Sequence, residues 1–341
     1  MSRIWRAAMV AGAAFAVPAA INAAIARQRR DLMNALPGDS GEYAWPMGSI
    51  AYQMRGEGTP LVLVHGVGAG NSSYEWRHNF EALAEHFRVY ALDLPGFGRS
   101  ERADVNYTAD LMVLALMDFL RDVVRERALV VASSLGAAFT VKLAATRPEL
   151  IERLVLVCPT GLEHLKSRTP VLSQAAYGAF SLPAIGTLIY NGIVSCRYIE
   201  SYMRENLYVD PTRVTPALIE HTYQSAHQPD AQYALRSFLS GLLNCDLTEY
   251  WSRLSQQTLL AWGRHARQTP VEDAALFLKE NPNVRLRVFE ESALLPHDEE
   301  HADFNAAVIA FMKTKEVDAL LSAPVEDAAL EHPSSAERRS R

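Results

Sequence analysis

Short apolar runs alternate with longer amphipathic stretches over most of the chain. Two β-rich runs, Tyr43 to Trp45 and Ser49 to Gln53, predict a hairpin, and Leu61 to Val64 predicts a buried central strand. Further strands are predicted at 88–92, 128–132, 154–157, 258–262 and 284–289, most with a helical stretch between them. Strands that alternate with helices form a mostly parallel sheet covered on both faces. The pattern therefore predicts an α/β fold.

The alternation stops between residues 165 and 245, which contain no clear strand and are rich in Tyr, Leu, Ile and Ala. We interpret 165–245 as a helical cap inserted into a core made of 42–164 and 246–315. Residues 323–341 are rich in charge, Ser and Pro, which predicts a disordered tail.

The amino-terminal segment, 1–35, contains an uncharged stretch at 7–26 with arginines on both sides. As a helix this stretch would be ~30 Å long, about the thickness of the hydrocarbon layer of a membrane. A membrane anchor, a signal peptide and a helix on the protein surface are the three interpretations. We expect contact with a membrane surface on the cytoplasmic side, with a soluble cytoplasmic protein as the alternative.

Charge and cysteine content exclude several classes of function. The formal net charge is -6 and the isoelectric point is about 6.0, which disfavours broad contact with nucleic acid. The three cysteines are far apart and show neither zinc-site nor disulfide spacing. We therefore expect no metal, no cofactor and no nucleic acid partner.

A strand, a sharp turn and a helix are predicted around Ser134. The segment from Ala132 to Gly136 matches G-x-S-x-G with alanine in place of the first glycine, and its small residues leave room for the turn. This context predicts that Ser134 is a nucleophile at the tip of the turn.

A glycine-rich loop, HGVGAG at 65–70, follows the strand at 61–64. Glycines let the backbone of such a loop pass close to a ligand. We expect His65 and Gly66 to contact substrate, with His65 bracing the loop, and the amides of Val67 and Leu135 to form an oxyanion hole.

These motifs, together with DLPGFGRS at 93–100, AWG at 261–263 with Pro270, and Phe304-Asn305, resemble the α/β-hydrolase superfamily in its epoxide-hydrolase-like and esterase-like branch. The resemblance extends from about residue 42 to residue 311. It implies the α/β-hydrolase fold and hydrolysis of esters, lactones, epoxides, haloalkanes or thioesters, or a few lyase and oxidase reactions.

Two departures from the family pattern concern the catalytic triad. The position of the family's catalytic Asp is occupied by Ala266, and that of its catalytic His by Leu294. His297, the second histidine of the family's last motif, is our candidate for a displaced base, and Glu163 is the preferred substitute acid, ahead of Asp298 and Glu299.

Three functions are compatible with this degenerate triad. The first is a serine hydrolase of a lipophilic ester or related acyl compound, with Tyr177 and Phe180 of the cap lining an apolar pocket. The second is an inactive relative that binds a small apolar ligand or a protein partner. The third is a lyase or a cofactor-free oxygenase, which no residue singles out.

Overall fold

The computed structural model describes residues 16–166, 170–279 and 281–314. The predicted tail at 323–341 and the first fifteen residues lie outside this part of the chain. The α/β-hydrolase fold predicted from the sequence is confirmed, with one sheet and helices around it.

Eight strands form the sheet in the spatial order β1-β2-β4-β3-β5-β6-β7-β8. The first two pairings, β1 with β2 and β2 with β4, are antiparallel, and all others are parallel. The bounds are β1 Asp39–Tyr43, β2 Ile50–Arg55, β3 Pro60–Val64, β4 Arg88–Leu92, β5 Ala128–Ser133, β6 Ile151–Val157, β7 Gln257–Gly263 and β8 Val284–Phe289.

The central strands are buried along their whole length. Every residue of β3 and β5 is buried, because helices cover both faces of the sheet and leave no polar face. The first strand differs from its prediction: it ends at Tyr43, and Trp45 lies after it in the turn toward β2. As an edge strand with mostly exposed side chains, β1 carries little of the apolar signal on which the prediction depended.

Helices occupy the connections between strands. In chain order they are α1 at 16–26, α2 Phe80–Ala84, α3 Ala109–Phe119, α4 Ser134–Thr146, α5 Pro170–Ser181, α6 Ile185–Ile193, α7 Cys196–Tyr202, α8 Pro216–Ala226, α9 Gln232–Leu239, α10 Thr248–Trp251, α11 Ala274–Lys279, α12 Pro296–Glu299 and α13 His301–Lys313. We call the segment from α5 to α9, which lies between β6 and β7, the helical insertion.

The described part of the amino-terminal segment packs against the helical insertion. The Asn22 side chain donates a hydrogen bond to the carbonyl of Ala184 at 2.8 Å and accepts one from Asn191 at 2.9 Å. The backbone N–H of Arg30 donates to the side chain of Gln224 in α8 at 2.9 Å. None of the helices in the described ranges is long and apolar enough to cross a membrane.

The loops at the carboxyl ends of the parallel strands meet at one edge of the sheet, where ligands bind in open α/β folds. Ser134 follows β5 there, and the glycine-rich loop follows β3. The helical insertion leaves the sheet from the same edge, after β6. This edge is therefore where a functional site would be assembled.

Candidate active site

Ser134 lies on a strained turn at the junction of β5 and α4. Its φ is +50°, in the left-handed region that side chains other than glycine rarely adopt. Two residues later, a Cβ on Gly136 would lie 2.3 Å from the carbonyl oxygen of His65, so only glycine fits. The turn and the loop after β3 are therefore in direct contact, as a nucleophile elbow requires.

The glycine-rich loop is held by His65. The backbone N–H of Leu94 donates to His65 Nε2 at 2.9 Å, which places the ring proton on Nδ1, 2.6 Å from the carbonyl oxygen of Gly66. A Cβ on Gly66 would lie 3.4 Å from Ser134 Cβ. Both ring nitrogens of His65 are thus occupied in fixing the loop beside the serine.

Apolar side chains occupy the two positions that the sequence analysis assigned to a missing acid and base, 266 and 294. Ala266, after β7, is 5% exposed, and Leu294, after β8, is 8% exposed, and both belong to the main hydrophobic core. The Ser134 hydroxyl makes no hydrogen bond within 16–166, 170–279 and 281–314. The surroundings of the serine therefore offer it no hydrogen-bonded base.

His297 is fully buried at the start of α12. Its Nε2 lies 3.3 Å from Oε1 of Glu75, whose side chain is 9% exposed. The ring packs on Trp76, with 4.6 Å between ring centroids, and on Phe304, with 5.8 Å. Neither ring nitrogen makes a hydrogen bond with the residues that the structure describes. The nearest ionic partner of the candidate base is thus Glu75.

Glu75 connects this histidine to the elbow and to the glycine-rich loop. Its Oε2 accepts a hydrogen bond from the backbone N–H of Gly66 at 3.0 Å. Burial raises the pKa of the Glu75 carboxyl, but contact with His297 and with the hydroxyl of Ser133 lowers it, and the net pKa lies below the ordinary value. The carboxylate is therefore ionised and lies between the Ser133–Ser134 turn and the histidine.

Glu163, the predicted acid, lies elsewhere. Its side chain is exposed, and its charge helps to raise the pKa of Asp273, for which burial is the larger cause. Asp273 pairs instead with His164, whose Nε2 lies 2.9 Å from Asp273 Oδ2. Since the carboxylate that faces His297 is Glu75, the structure does not bring Glu163 to the candidate base.

Glu75 was missed because it stands outside every motif that the sequence displays. It lies in a short 3-10 helix, Ser73–Trp76, directly after the glycine-rich loop. The available signal was the position of Glu75 immediately before Trp76. A large apolar side chain such as Trp76 is usually buried, and a carboxylate that is buried beside it needs a partner.

The two cap residues expected to line a pocket contact other groups. The Tyr177 hydroxyl donates to Asn106 Oδ1 at 2.9 Å, and the guanidinium of Arg236 lies 4.9 Å from the centre of its ring. Phe180 packs on the small hydrophobic cluster inside the helical insertion that includes Tyr190 and Leu235. Both residues thus help to hold the insertion together and against the core.

The helical insertion rests on the segment that carries Glu75. His221 of α8 stacks on Tyr74 with 3.9 Å between ring centroids, and its Nε2 lies 3.2 Å from Ser72 Oγ. Burial lowers the pKa of His221 to about 4, so the ring is neutral at neutral pH.

Among the described residues, no group of three or more His, Cys, Asp or Glu side chains could hold a metal ion.

Comparison with known proteins supports the fold and the family. A hydrolase of 2-hydroxy-6-oxo-6-(2'-aminophenyl)hexa-2,4-dienoic acid from Metapseudomonas resinovorans is 36% identical over 33% of this chain and 39% of its own length. A pimeloyl-[acyl-carrier protein] methyl ester esterase from Vibrio campbellii is 26% identical over 77% of this chain and 98% of its own length.

Solved structures with this fold include a thermophilic esterase from Thermogutta terrifontis, with a TM-score of 0.66 and 20% identity over 81% of this chain and 98% of its own. A membrane phospholipase A has a TM-score of 0.65 and 20% identity over 91% of this chain and 96% of its own. The model of the "Alpha/beta hydrolase family" matches residues 61–307. With well over half of its length matched, the chain belongs to the alpha/beta hydrolase family.

Proposed function

We propose that this chain uses its hydrolase scaffold to bind a small ligand and does not turn that ligand over through a serine–histidine–acid triad. The observation that carries the proposal is the order of the buried groups, in which the Glu75 carboxylate lies between the serine turn and His297. In a working triad the imidazole lies between the serine and the carboxylate, because it must take and return the proton.

The acid–base properties of the cluster support the same conclusion. A carboxylate whose pKa is held low is a poor base for an alcohol, and a serine hydroxyl without a base is a weak nucleophile. The standard base position, Leu294, is a buried leucine, and the standard acid position, Ala266, carries no polar atom. The elbow is thus retained as a shape, without the proton relay that would activate it.

A second candidate function is hydrolysis of a lipophilic ester or related acyl compound, and the positive φ of Ser134 beside Gly66 favours it. In that mechanism Ser134 attacks the carbonyl carbon, and His297 takes the serine proton and returns it to the leaving alkoxide. Water then attacks the acyl-serine, and His297 passes the water proton back to the serine oxygen as the acid is released. The Val67 and Leu135 amides would stabilise the oxyanion. Several relatives named above are hydrolases, among them an ester hydrolase.

Labelling by a fluorophosphonate probe separates the two functions before any substrate is known. We would compare the unmodified protein, Ser134→Ala, His297→Gln, and a double variant, Ala266→Asp with Leu294→His, that restores the family's acid and base. We expect no Ser134-dependent labelling of the unmodified protein, and labelling of the double variant, because the double variant regains a base beside the elbow.

Circular dichroism and unfolding curves would establish that each variant is folded, since two polar groups are being placed at buried positions. Labelling of the unmodified protein that disappears in Ser134→Ala and falls sharply in His297→Gln would overturn the proposal and establish the hydrolase. Labelling of the double variant alone would show that the elbow and loop are competent and that only the proton relay is lacking.

Contact of the amino-terminal segment with a membrane surface stays a prediction. Val17 and Ile21 of α1 are 58% and 42% exposed, so this helix presents apolar side chains away from the helical insertion. Co-sedimentation of the full chain with lipid vesicles, beside a Val17→Asp, Ile21→Asp variant, tests it. Equal sedimentation of the two proteins would contradict it.

A further inference from the structure

A small cavity lies between the glycine-rich loop, the turn after β4 and the helical insertion. It has a volume of about 10 Å³, which is room for about one water molecule. Its walls come from the loop at 68–71, the turn at 96–98, Arg102, and Tyr190, Ser225 and Leu235 of the insertion. Ser134 is not among its lining residues, so this cavity is separate from the elbow.

Arg102 brings a half-buried positive charge to the cavity. One Nη donates to the carbonyl oxygen of Gly98, and the other donates to that of Ser100 at 3.3 Å. The Nε–H is buried and has no hydrogen-bond partner in the described part of the chain. Two of the five N–H donors of the guanidinium are therefore used, and the Nε–H is left without a partner among the described residues. Burial lowers the pKa of Arg102.

The nearby carboxylates do not neutralise this charge directly. Asp93 accepts hydrogen bonds from the backbone N–H groups of Ser73 and Arg99, at 2.6 and 2.8 Å, so both of its oxygens are in use. Asp93 and Asp230 favour the charged form of Arg102 from a distance, and neither forms an ion pair with it. A half-buried guanidinium without an ion-pair partner attracts negative charge, so the cavity is electrostatically suited to an anion.

A second side chain with an unpartnered polar atom lines the same cavity. Ser225, in α8, is 2% exposed, and its Oγ has no hydrogen-bond partner in the ranges that the structure describes. The neighbouring hydroxyl of Tyr190 is already used, because it donates to the carbonyl oxygen of Ala226. A hydroxyl in the same cavity as a guanidinium can donate to one oxygen of a carboxylate while the guanidinium donates to the other.

We propose that Arg102 and Ser225 form a binding site for a carboxylate group in this cavity. The proposal rests on the proposed ligand-binding function and gives it a ligand class, a small carboxylic acid or the carboxylate end of a larger ligand. The guanidinium of Arg102 supplies most of the binding energy, and the hydroxyl of Ser225 orients the carboxylate of the ligand. Since the cavity has room for about one water molecule, any carboxylate, acetate included, binds only when the helical insertion moves away from the loop.

Acetate is the probe, measured by isothermal titration calorimetry on the full chain. Acetamide has the same shape without the charge, and chloride at equal ionic strength tests for a general anion effect. We expect saturable binding of acetate, no binding of acetamide, and acetate affinity at least tenfold weaker in Arg102→Gln. The matched control is Arg264→Gln, because Arg264 is paired with Glu290 at 2.7 Å and is not among the residues that line the cavity.

Arg102 also braces the turn that carries Gly98, so its loss could unfold the protein. Ser225→Ala keeps that brace, and we expect it to weaken acetate binding severalfold with an unchanged unfolding midpoint. The proposal would be overturned if the unmodified protein did not bind acetate. It would also be overturned if Arg102→Gln and Ser225→Ala both bound acetate as tightly as the unmodified protein. Chloride binding as tight as acetate binding would overturn the carboxylate assignment. Ser134-dependent probe labelling would refute the non-catalytic function alone, since acetate binding is measured independently of it.

Discussion

Gly263→Ala is expected to destabilise the fold by ~3 kcal/mol or more, or to prevent folding, because the new methyl group has no space. A Cβ at this position would lie 1.7 Å from the carbonyl oxygen of Ala293 and 2.6 Å from that of Ser292. Both obstacles are backbone atoms after β8, which cannot rotate away as a side chain could. Urea unfolding of the variant and of the unmodified protein measures the difference.

Gly192→Ala is the matched control, since nothing lies within 4 Å of a Cβ built there and the residue is inside α6. Alanine in a helix restricts the unfolded chain, so this variant is expected to gain about 0.5 to 1 kcal/mol. Equal stability of the two variants would show that the segment after β8 does not lie against Gly263 as described.

Glu75→Ala is expected to cost about 1 to 3 kcal/mol, the range found when a buried polar group loses its hydrogen-bond partner. The loss leaves His297 buried without its carboxylate and removes the acceptor of the Gly66 N–H. A cycle with His297→Phe isolates the pair, because phenylalanine can keep the packing on Trp76. We expect the double variant to lose clearly less than the sum of the two single losses. Strict additivity would argue that the two groups do not interact.

The same pair predicts a pH dependence of stability. The pKa of the Glu75 carboxyl in the folded chain lies below its ordinary value of 4.5, so the unfolded chain binds its proton more readily. The stabilisation is therefore present above about pH 4.5 and is lost as the pH falls through the folded value. Glu75→Gln keeps an acceptor but cannot ionise, and we expect its stability to fall less steeply in acid. If the stability of Glu75→Gln and of the unmodified protein fell equally in acid, a group other than Glu75 would be responsible for the pH dependence.

Most of the sheet was predictable because its strands are continuous apolar runs bounded by turn residues. Seven of the eight strands overlap their predicted positions closely, while β1 was displaced because it is an exposed edge strand. The elbow at Ser134 could be predicted because the turn imposes small residues at fixed spacing, and its positive φ follows from the same constraint. Both signals, the apolar runs and the spacing of small residues, lie within a few consecutive residues of the chain.

The buried pair of Glu75 and His297 could not be predicted, because it joins two segments that meet only in the folded chain. Nothing near Glu75 in the sequence indicates an imidazole partner, and the family pattern directs attention to 266 and 294 instead. The same limit applies to Arg102 and Ser225, which lie on a turn of the core and on α8 of the insertion. The Nε–H of Arg102 and the hydroxyl of Ser225 have no hydrogen-bond partner among the described residues, and only the folded chain shows that they line the same cavity.

The contact between α8 and Gly70 limits how fast a ligand can bind in the cavity. The carbonyl oxygen of Thr222 would lie 2.3 Å from a Cβ on Gly70, so helix and loop backbones already touch over the cavity. Since the cavity has room for about one water molecule, a carboxylate fits only after the two backbones move apart. Association would then be limited by the frequency of that opening: at high ligand concentration its rate would stop increasing, however strongly the guanidinium attracts the anion.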